Sequence, residues 1–115
     1  MIDFTKAHWV EARSIHELPS PDKYFWKGRN TEEEYLDVLL QLPRIKELAE
    51  QGISLFDICQ SYPDLANAVH IFFDGTAIYV NNRDGILSYA SDGRHRIWVA
   101  QKHGLSVPVF FYRES

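Results

Sequence analysis

The stretch from residue 91 to residue 111 constrains the fold most, because it combines a turn, a helix and an apolar strand in one short run. Asp92 is a good N-cap residue, which makes 93–95 the first helical positions. The spacing predicts a helix of about three turns that stops at Gly104. The apolar run at 107–111 then predicts a final strand. The sequence therefore predicts a strand end, a sharp turn, a helix and a strand in this order.

The first turn of this helix holds cations where a helix disfavours them. A helix N-terminus exposes N–H groups and carries partial positive charge, so each cation there costs about 0.3–1 kcal/mol. Here it holds Arg94, His95 and Arg96, and Asp92 alone cannot balance them. A phosphate or phosphodiester would accept both the N–H groups and the arginine forks. Gly93, which has no side chain, would let that anion approach the backbone closely.

Helical geometry divides the roles within the turn. Successive side chains point about 100° apart, so the three cations cannot all grip one phosphate. We expect one arginine and the backbone N–H groups to hold the phosphate and His95 to transfer a proton, while the other arginine stabilises developing charge or packs structurally. The candidate catalytic residues are His95, Arg96 and Asp92, and the candidate phosphate ligands are Gly93, Arg94 and Arg96.

An alternative interpretation of the turn needs no ligand. Asp92 would cap the helix, and Arg94 and Arg96 would point into water or pair with carboxylates elsewhere. We favour the anion site because a broken local rule is found more often at functional sites than at idle ones.

The segment 92–109, Asp-Gly-Arg-His-Arg-Ile-x-x-Ala-x-x-x-Gly-x-x-x-Pro-Val, resembles the signature of the ParB/sulfiredoxin-fold superfamily. In that superfamily a Gly-x-[His/Arg]-Arg turn opens a helix that leads into a short Ile-Pro-Val strand. Residues 15–21 are similar to the opening strand and proline-rich turn of the same fold. The resemblance implies a single α+β domain over 1–115, with a small mixed sheet flanked by helices and an N-terminal half rich in short helices.

The members of this superfamily differ in activity but share a phosphate-handling turn at this helix. They include CTP-binding partition proteins, nuclease-type domains, a free-serine kinase, ATP-using sulfiredoxins and toxin domains of bacterial conflict systems. Sulfiredoxins carry their reactive cysteine at the position of Arg94, whereas the single cysteine here is Cys59, so we do not expect sulfinic acid repair. Partition proteins follow this domain with a helix-turn-helix, and the sequence runs only to Ser115, so we do not expect a partition clamp.

The composition predicts the number of domains and the compartment in which the protein acts. With 115 residues, of which 45% are hydrophobic and 14% aromatic, one domain with a packed core is expected. A net charge of −4 argues against broad non-specific duplex binding but allows a local basic site. The single cysteine, the missing apolar membrane span and the missing signal peptide predict a cytoplasmic protein that does not contact a membrane.

The stretch 23–29 interleaves cations with aromatic residues. Such a mixture can stack bases and neutralise phosphates, so Lys23, Trp26 and Arg29 are candidate substrate-binding residues. The alternative is that Phe25 and Trp26 belong to the core and the cations are solvated.

The middle of the chain is predicted to be helical and then extended. Thr31 and Glu34 form a capping box for a helix over 32–42, and Pro43 opens a second helix that ends at Gly52. A third helix starts at 54–57, and 63–66 adds one more turn. The expected strands are 71–73 and 77–80, joined by a hairpin turn at Asp74-Gly75, and 86–90 after a looser loop over 81–85. Near the start, 9–12 and 14–18 are each expected to form a short strand or a helical turn.

No other motif in the sequence indicates a metal site or a catalytic role for the other histidines. Asp84, Asp92, His95 and His103 match no familiar metal-ligand spacing, so no metal site is assigned, although Mg²⁺ is possible. His70 is expected at a strand edge and His103 at a helix end.

These observations favour a phosphate-handling enzyme, a nuclease or phosphodiesterase of the type found in bacterial toxin domains. Its expected partners are nucleic acid or a nucleotide and an immunity protein. One alternative is an ATP- or CTP-dependent phosphotransferase or nucleotide-binding switch with Mg²⁺ and an acidic partner, Asp92 or one of Glu32, Glu33 and Glu34. The other is a non-catalytic interaction or immunity module.

Overall fold

The computed structural model describes residues 4–21, 30–74, 76–90 and 93–112, which form an α+β domain. The strands are β1 (His8–Glu11), β2 (Ile15–His16), β3 (Tyr79–Arg83), β4 (Ile86–Tyr89) and β5 (Ser106–Phe111). The α-helices are α1 (Glu32–Glu50), α2 (Leu55–Ser61), α3 (Ala66–Phe73) and α4 (Arg94–His103). Short 3₁₀ turns lie at Phe4–Lys6, Ala12–Ser14 and Pro63–Leu65. None of the helices in the described ranges has both the length and the apolar character needed to cross a membrane.

The five strands form one mixed sheet in the order β1-β5-β3-β4-β2. The pairs β1–β5 and β3–β4 are antiparallel, whereas β3–β5 and β2–β4 are parallel. The predicted mixed sheet is therefore confirmed.

The short connection between β1 and β2 forces this sheet to curl. The two strands lie at opposite edges, although only the 3₁₀ turn Ala12–Ser14 separates them. Four strand spacings of about 4.8 Å would place the edges of a flat sheet about 19 Å apart. The four Cα steps from Glu11 to Ile15 reach at most about 14 Å when fully extended. Curling brings the two edges within reach of each other.

Helices cover both faces of the sheet. One face carries Val80, Leu87, Val107 and Val109, which are buried in the main core. On the opposite face Phe110 packs edge-on against Phe73 of α3, with ring centroids 6.5 Å apart. α4 contacts β5, and α1 packs on both α3 and α4. The prediction of a sheet flanked by helices is confirmed.

Helix α1 corrects the prediction of two short helices. The capping box is present, because Thr31 Oγ1 accepts from the Glu34 N–H and Glu34 Oε1 accepts from the Thr31 N–H. The helix then continues through Pro43 for 19 residues in all. Proline removes one backbone hydrogen bond, but Leu42 and Ile45, 1% and 0% exposed, lie on either side of Pro43. Their burial on one continuous face keeps the helix intact.

The predicted strand at 71–73 is wrong, because these residues form the last turn of α3. A short apolar run fits a buried strand and a buried helix equally well. The buried residues here are Leu65, Ala68, Val69 and Phe72, which are spaced three and four apart, as on one face of a helix. His70, predicted at a strand edge, lies in the same helix, and its Nδ1 is 3.3 Å from Asp74 Oδ2.

The predicted loose loop at 81–85 is a tight hairpin. Asn81, Asn82 and Arg83 belong to β3, and Arg83 pairs with Ile86 across a two-residue Asp84-Gly85 turn. Both turn residues have positive φ, 53° and 85°, as a type I′ turn requires. The Gly85 N–H also donates to Asn82 Oδ1 at 3.0 Å. The expected strand over 86–90, the last strand and the stop of α4 at Gly104 are confirmed.

Candidate phosphate site at the start of α4

Helix α4 begins at Arg94, one residue later than the sequence predicts. Gly93 is the N-cap, and its left-handed backbone (φ 91°, ψ 14°) cannot continue a helix. Asp92, the predicted cap, lies outside the described residues. The first turn carries Arg94, His95 and Arg96 and no acidic residue. The unfavourable charge pattern is therefore a property of the folded helix.

Gly93 leaves room for a neighbouring side chain. A Cβ at this position would lie 2.7 Å from Ile78 Cγ1 and 3.1 Å from Arg96 Nη2. The side that a larger residue would occupy is thus filled by Ile78 and the Arg96 guanidinium. The glycine is required both by its positive φ and by this close packing.

The side chain of Arg96 is directed into the protein. Its Nη1 donates to the Ile71 carbonyl at 2.8 Å and its Nη2 donates to the Thr76 carbonyl at 2.6 Å. Its guanidinium also lies 5.2 Å from the centre of the Phe72 ring, and the residue is only 7% exposed. Arg96 therefore ties the first turn of α4 to the end of α3 and to the connection that leads into β3.

His95 lies against α1. Its ring stacks on Tyr35 with centroids 5.9 Å apart and an interplanar angle of 16°, and the residue is 7% exposed. Further along the same two helices, Lys102 Nζ donates to Glu32 Oε1 at 2.8 Å. This ion pair joins the first turn of α1, the helix that carries Tyr35, to the last turn of α4.

The opposite end of α4 is anchored to the turn between β1 and β2. The Gln101 side-chain amide donates to the carbonyls of Ala12 and Ile15 at 2.9 and 3.1 Å. Arg13 Nε donates to the Gln101 carbonyl at 2.8 Å. Because both ends of α4 are held, the first turn has a defined position relative to the sheet.

The structure brings together only part of the predicted site. Gly93, Arg94, His95 and Arg96 share one turn, in which Arg94 is partly exposed while His95 and Arg96 are buried. Lys23, Trp26 and Arg29, like Asp92, lie outside the described residues. The described turn therefore places the half-buried Arg94 next to the buried imidazole of His95.

Two of the acidic candidates in α1 take part in structural interactions. Glu32 pairs with Lys102 and Glu34 belongs to the capping box. Among the described residues, no group of three or more His, Cys, Asp and Glu side chains is arranged to hold a metal ion. Burial raises the pKa of the Cys59 thiol, and the Asp74 carboxylate raises that pKa further, so the thiol is not activated as a nucleophile.

Sequence reasoning missed Tyr35 and the two carbonyl groups that hold Arg96. Tyr35 lies four residues after the N-cap Thr31, and nothing in its spacing marks it as the partner of a histidine. The carbonyls of Ile71 and Thr76 carry no side-chain signature at all. Only the preference of a buried guanidinium for several acceptors hints that such partners exist.

No family model, no curated protein and no solved structure matches this chain. The resemblance to the ParB/sulfiredoxin-fold superfamily therefore stays a prediction based on residues 15–21 and 92–109.

Gly93→Ala tests the packing at the cap, with Gly52→Ala as the matched control. Both glycines have nearly the same φ, 91° and 93°, but a Cβ at Gly52 meets nothing within 4 Å. Backbone strain alone costs about 1 kcal/mol, and overpacking adds about 1–3 kcal/mol at Gly93 only. Urea unfolding should show a larger loss of stability for Gly93→Ala. Equal losses for the two variants would contradict the close packing on Ile78.

Proposed function

We propose that the first turn of α4 binds the phosphate of a phosphodiester and that the protein hydrolyses it. The observation that carries this proposal is the concentration of Arg94, His95 and Arg96 in a first turn that contains no acidic residue. A bound anion would offset the unfavourable interaction of these cations with the helix dipole.

The proposal divides the work among the residues of the turn. Arg94, which is partly exposed, holds the phosphate and stabilises the charge that develops on its oxygens. His95 transfers a proton to or from the attacking or leaving oxygen, because an imidazole gains and loses protons near neutral pH. Arg96 acts as a positioning residue, since its guanidinium is bonded to Ile71 and Thr76.

The contacts of the acidic residues favour hydrolysis over phosphotransfer from a nucleotide. An ATP- or CTP-dependent enzyme needs a carboxylate for Mg²⁺. Of the three candidates in α1, Glu32 is paired with Lys102 and Glu34 is bonded in the capping box, which leaves Glu33, an exposed residue. We therefore place the nuclease first, as a ParB-like toxin domain that acts on nucleic acid in the cytoplasm and is neutralised by an immunity protein. A non-catalytic module remains the alternative from another class.

Arg94→Gln should abolish phosphate binding. At a phosphate concentration ten times Kd, binding adds about 1.4 kcal/mol of stability, which is about 5 °C in Tm for a domain of this size. We expect that rise in the wild type and in the control Arg44→Gln, whose guanidinium pairs with Asp64 away from the turn. Phosphate stabilises proteins in general, so the effect of specific binding is taken as the difference in Tm rise between the two variants. Equal rises in both variants would contradict the assignment of Arg94.

His95→Gln should lower the rate of nucleic acid cleavage by about 10²–10⁴-fold. The matched control is His103→Gln, an exposed histidine in the last turn of the same helix. Cleavage of plasmid DNA and of total RNA is followed by gel electrophoresis, with and without EDTA. Because His95 is buried against Tyr35, the Tm of each variant is measured in parallel. A fully active His95→Gln protein would remove His95 from the reaction.

The remaining outcomes separate the alternatives. Intact nucleic acids at high protein concentration, combined with a Tm rise in ATP or CTP with Mg²⁺, would favour the phosphotransferase or switch. Neither response, combined with a tight protein partner, would favour the interaction module.

A further inference from the structure

The face of α4 that meets α1 carries the imidazole of His95. The ring of Tyr35, near the start of α1, lies over that imidazole with centroids 5.9 Å apart and ring planes 16° from parallel. An offset stack of this kind is one of the two arrangements that aromatic pairs prefer. His95 is buried and Tyr35 is half-buried, so the tyrosine ring covers one face of an imidazole that has little contact with water.

A face contact fixes the plane of an imidazole without using its nitrogens. Both ring nitrogens lie in the ring plane, and they point away from a ring that covers one face. A hydrogen bond to a nitrogen would also hold the ring, but it would occupy an atom that can exchange a proton. The Tyr35 ring therefore restrains His95 and leaves Nδ1 and Nε2 to other partners.

A second contact joins the same two helices. Glu32 precedes Tyr35 by three residues in α1, so both lie on one face of that helix. Lys102 follows His95 by about two turns in α4 and lies on the same face as His95. Lys102 Nζ donates to Glu32 Oε1 at 2.8 Å. Because the helices are joined at two levels, the Tyr35 ring has a defined place over His95.

The position of Arg94 separates its role from that of Tyr35. Arg94 immediately precedes His95, so the two side chains point about 100° apart around the helix. The ring contact with Tyr35 is made by His95. A change at Tyr35 should therefore act on the imidazole and leave the phosphate ligand of the proposed site in place.

We propose that Tyr35 is the positioning residue for His95, and that its ring holds the imidazole plane in the orientation that proton transfer needs. This inference rests on the proposed role of His95 in phosphodiester hydrolysis. Proton transfer requires a ring nitrogen within hydrogen-bond reach of the reacting oxygen, about 2.6–3.2 Å. A misplacement of about 1 Å can cost about 10²-fold in rate. Without the tyrosine ring the imidazole gains room to tilt, and this alignment is lost.

Three variants isolate the contribution of the ring. Tyr35→Leu removes the ring and keeps an apolar side chain, whereas Tyr35→Phe keeps the ring and removes only the hydroxyl. The matched control is Tyr62→Leu, because Tyr62 is also a half-buried tyrosine that packs against the core, but its ring lies 5.0 Å from the Arg44 guanidinium. The Tm of each variant is measured so that all rates are compared on folded protein.

The first measurement is the steady-state cleavage of a mixed-sequence oligonucleotide that carries a fluorophore and a quencher, in RNA and DNA forms. Tyr35→Leu should lower kcat about 10- to 100-fold and leave KM unchanged, as for an interaction made only in the transition state. Tyr35→Phe and Tyr62→Leu should keep the kcat of the wild type. An unchanged kcat in Tyr35→Leu, an equal loss in Tyr35→Phe or Tyr62→Leu, or a rise in KM alone would overturn the proposal.

The second measurement does not depend on cleavage. NMR spectroscopy follows the ring protons of His95, which are assigned by their loss in His95→Gln. Protons over the face of an aromatic ring are shifted upfield by its ring current, so these signals should move downfield in Tyr35→Leu. They should stay in place in Tyr35→Phe and Tyr62→Leu. His95 signals that do not respond to Tyr35→Leu would contradict the positioning role.

The two proposals fail separately. If the His95 signals depend on Tyr35 but the wild type cleaves no nucleic acid, the ring contact holds and the proposed hydrolysis is wrong. If cleavage depends on His95 while Tyr35→Leu cleaves at the full rate, only the role of Tyr35 is wrong.

Discussion

The buried guanidinium of Arg96 is the contact on which the arrangement of the site depends. Its bonds to the Ile71 and Thr76 carbonyls join α4 to the end of α3 and to the entry of β3. A guanidinium removed from water must keep its hydrogen bonds, because an unpaired buried charge costs several kcal/mol. The same guanidinium and Ile78 fill the space beside Gly93, so a residue with a side chain does not fit at position 93. In the sequence Arg96 is one of three consecutive cations; in the structure it is the residue that holds the turn in place.

That anchor decides which side chains of the turn lie near the surface. With Arg96 bonded inward and His95 stacked on Tyr35, the turn offers Arg94 at its surface and an imidazole held in one orientation beside it. The other end of α4 is fixed by Gln101 and Arg13 to the connection between the two edge strands. A helix held at both ends on a curled sheet is a rigid support, and rigid positioning is what catalysis by electrostatic stabilisation requires.

Local signals in the sequence predicted the parts of the fold that depend on local interactions. The capping box at Thr31, the stop at Gly104 and the final strand follow from residues within a few positions of each other. The continuous α1 through Pro43 and the helical state of 71–73 depend on burial against the rest of the core, which no local pattern contains. The partners of Arg96 lie 25 and 20 residues away and are main-chain atoms.

The central claim is that Arg94 meets the phosphate and Arg96 does not. NMR spectroscopy of the arginine Nε–H groups during a titration with inorganic phosphate tests it most directly. The account predicts that the Arg94 signal shifts in a saturable way and that the Arg96 signal, protected inside the protein, stays in place. A shift of the Arg96 signal while Arg94 remains unchanged, or no saturable shift of either, would contradict it.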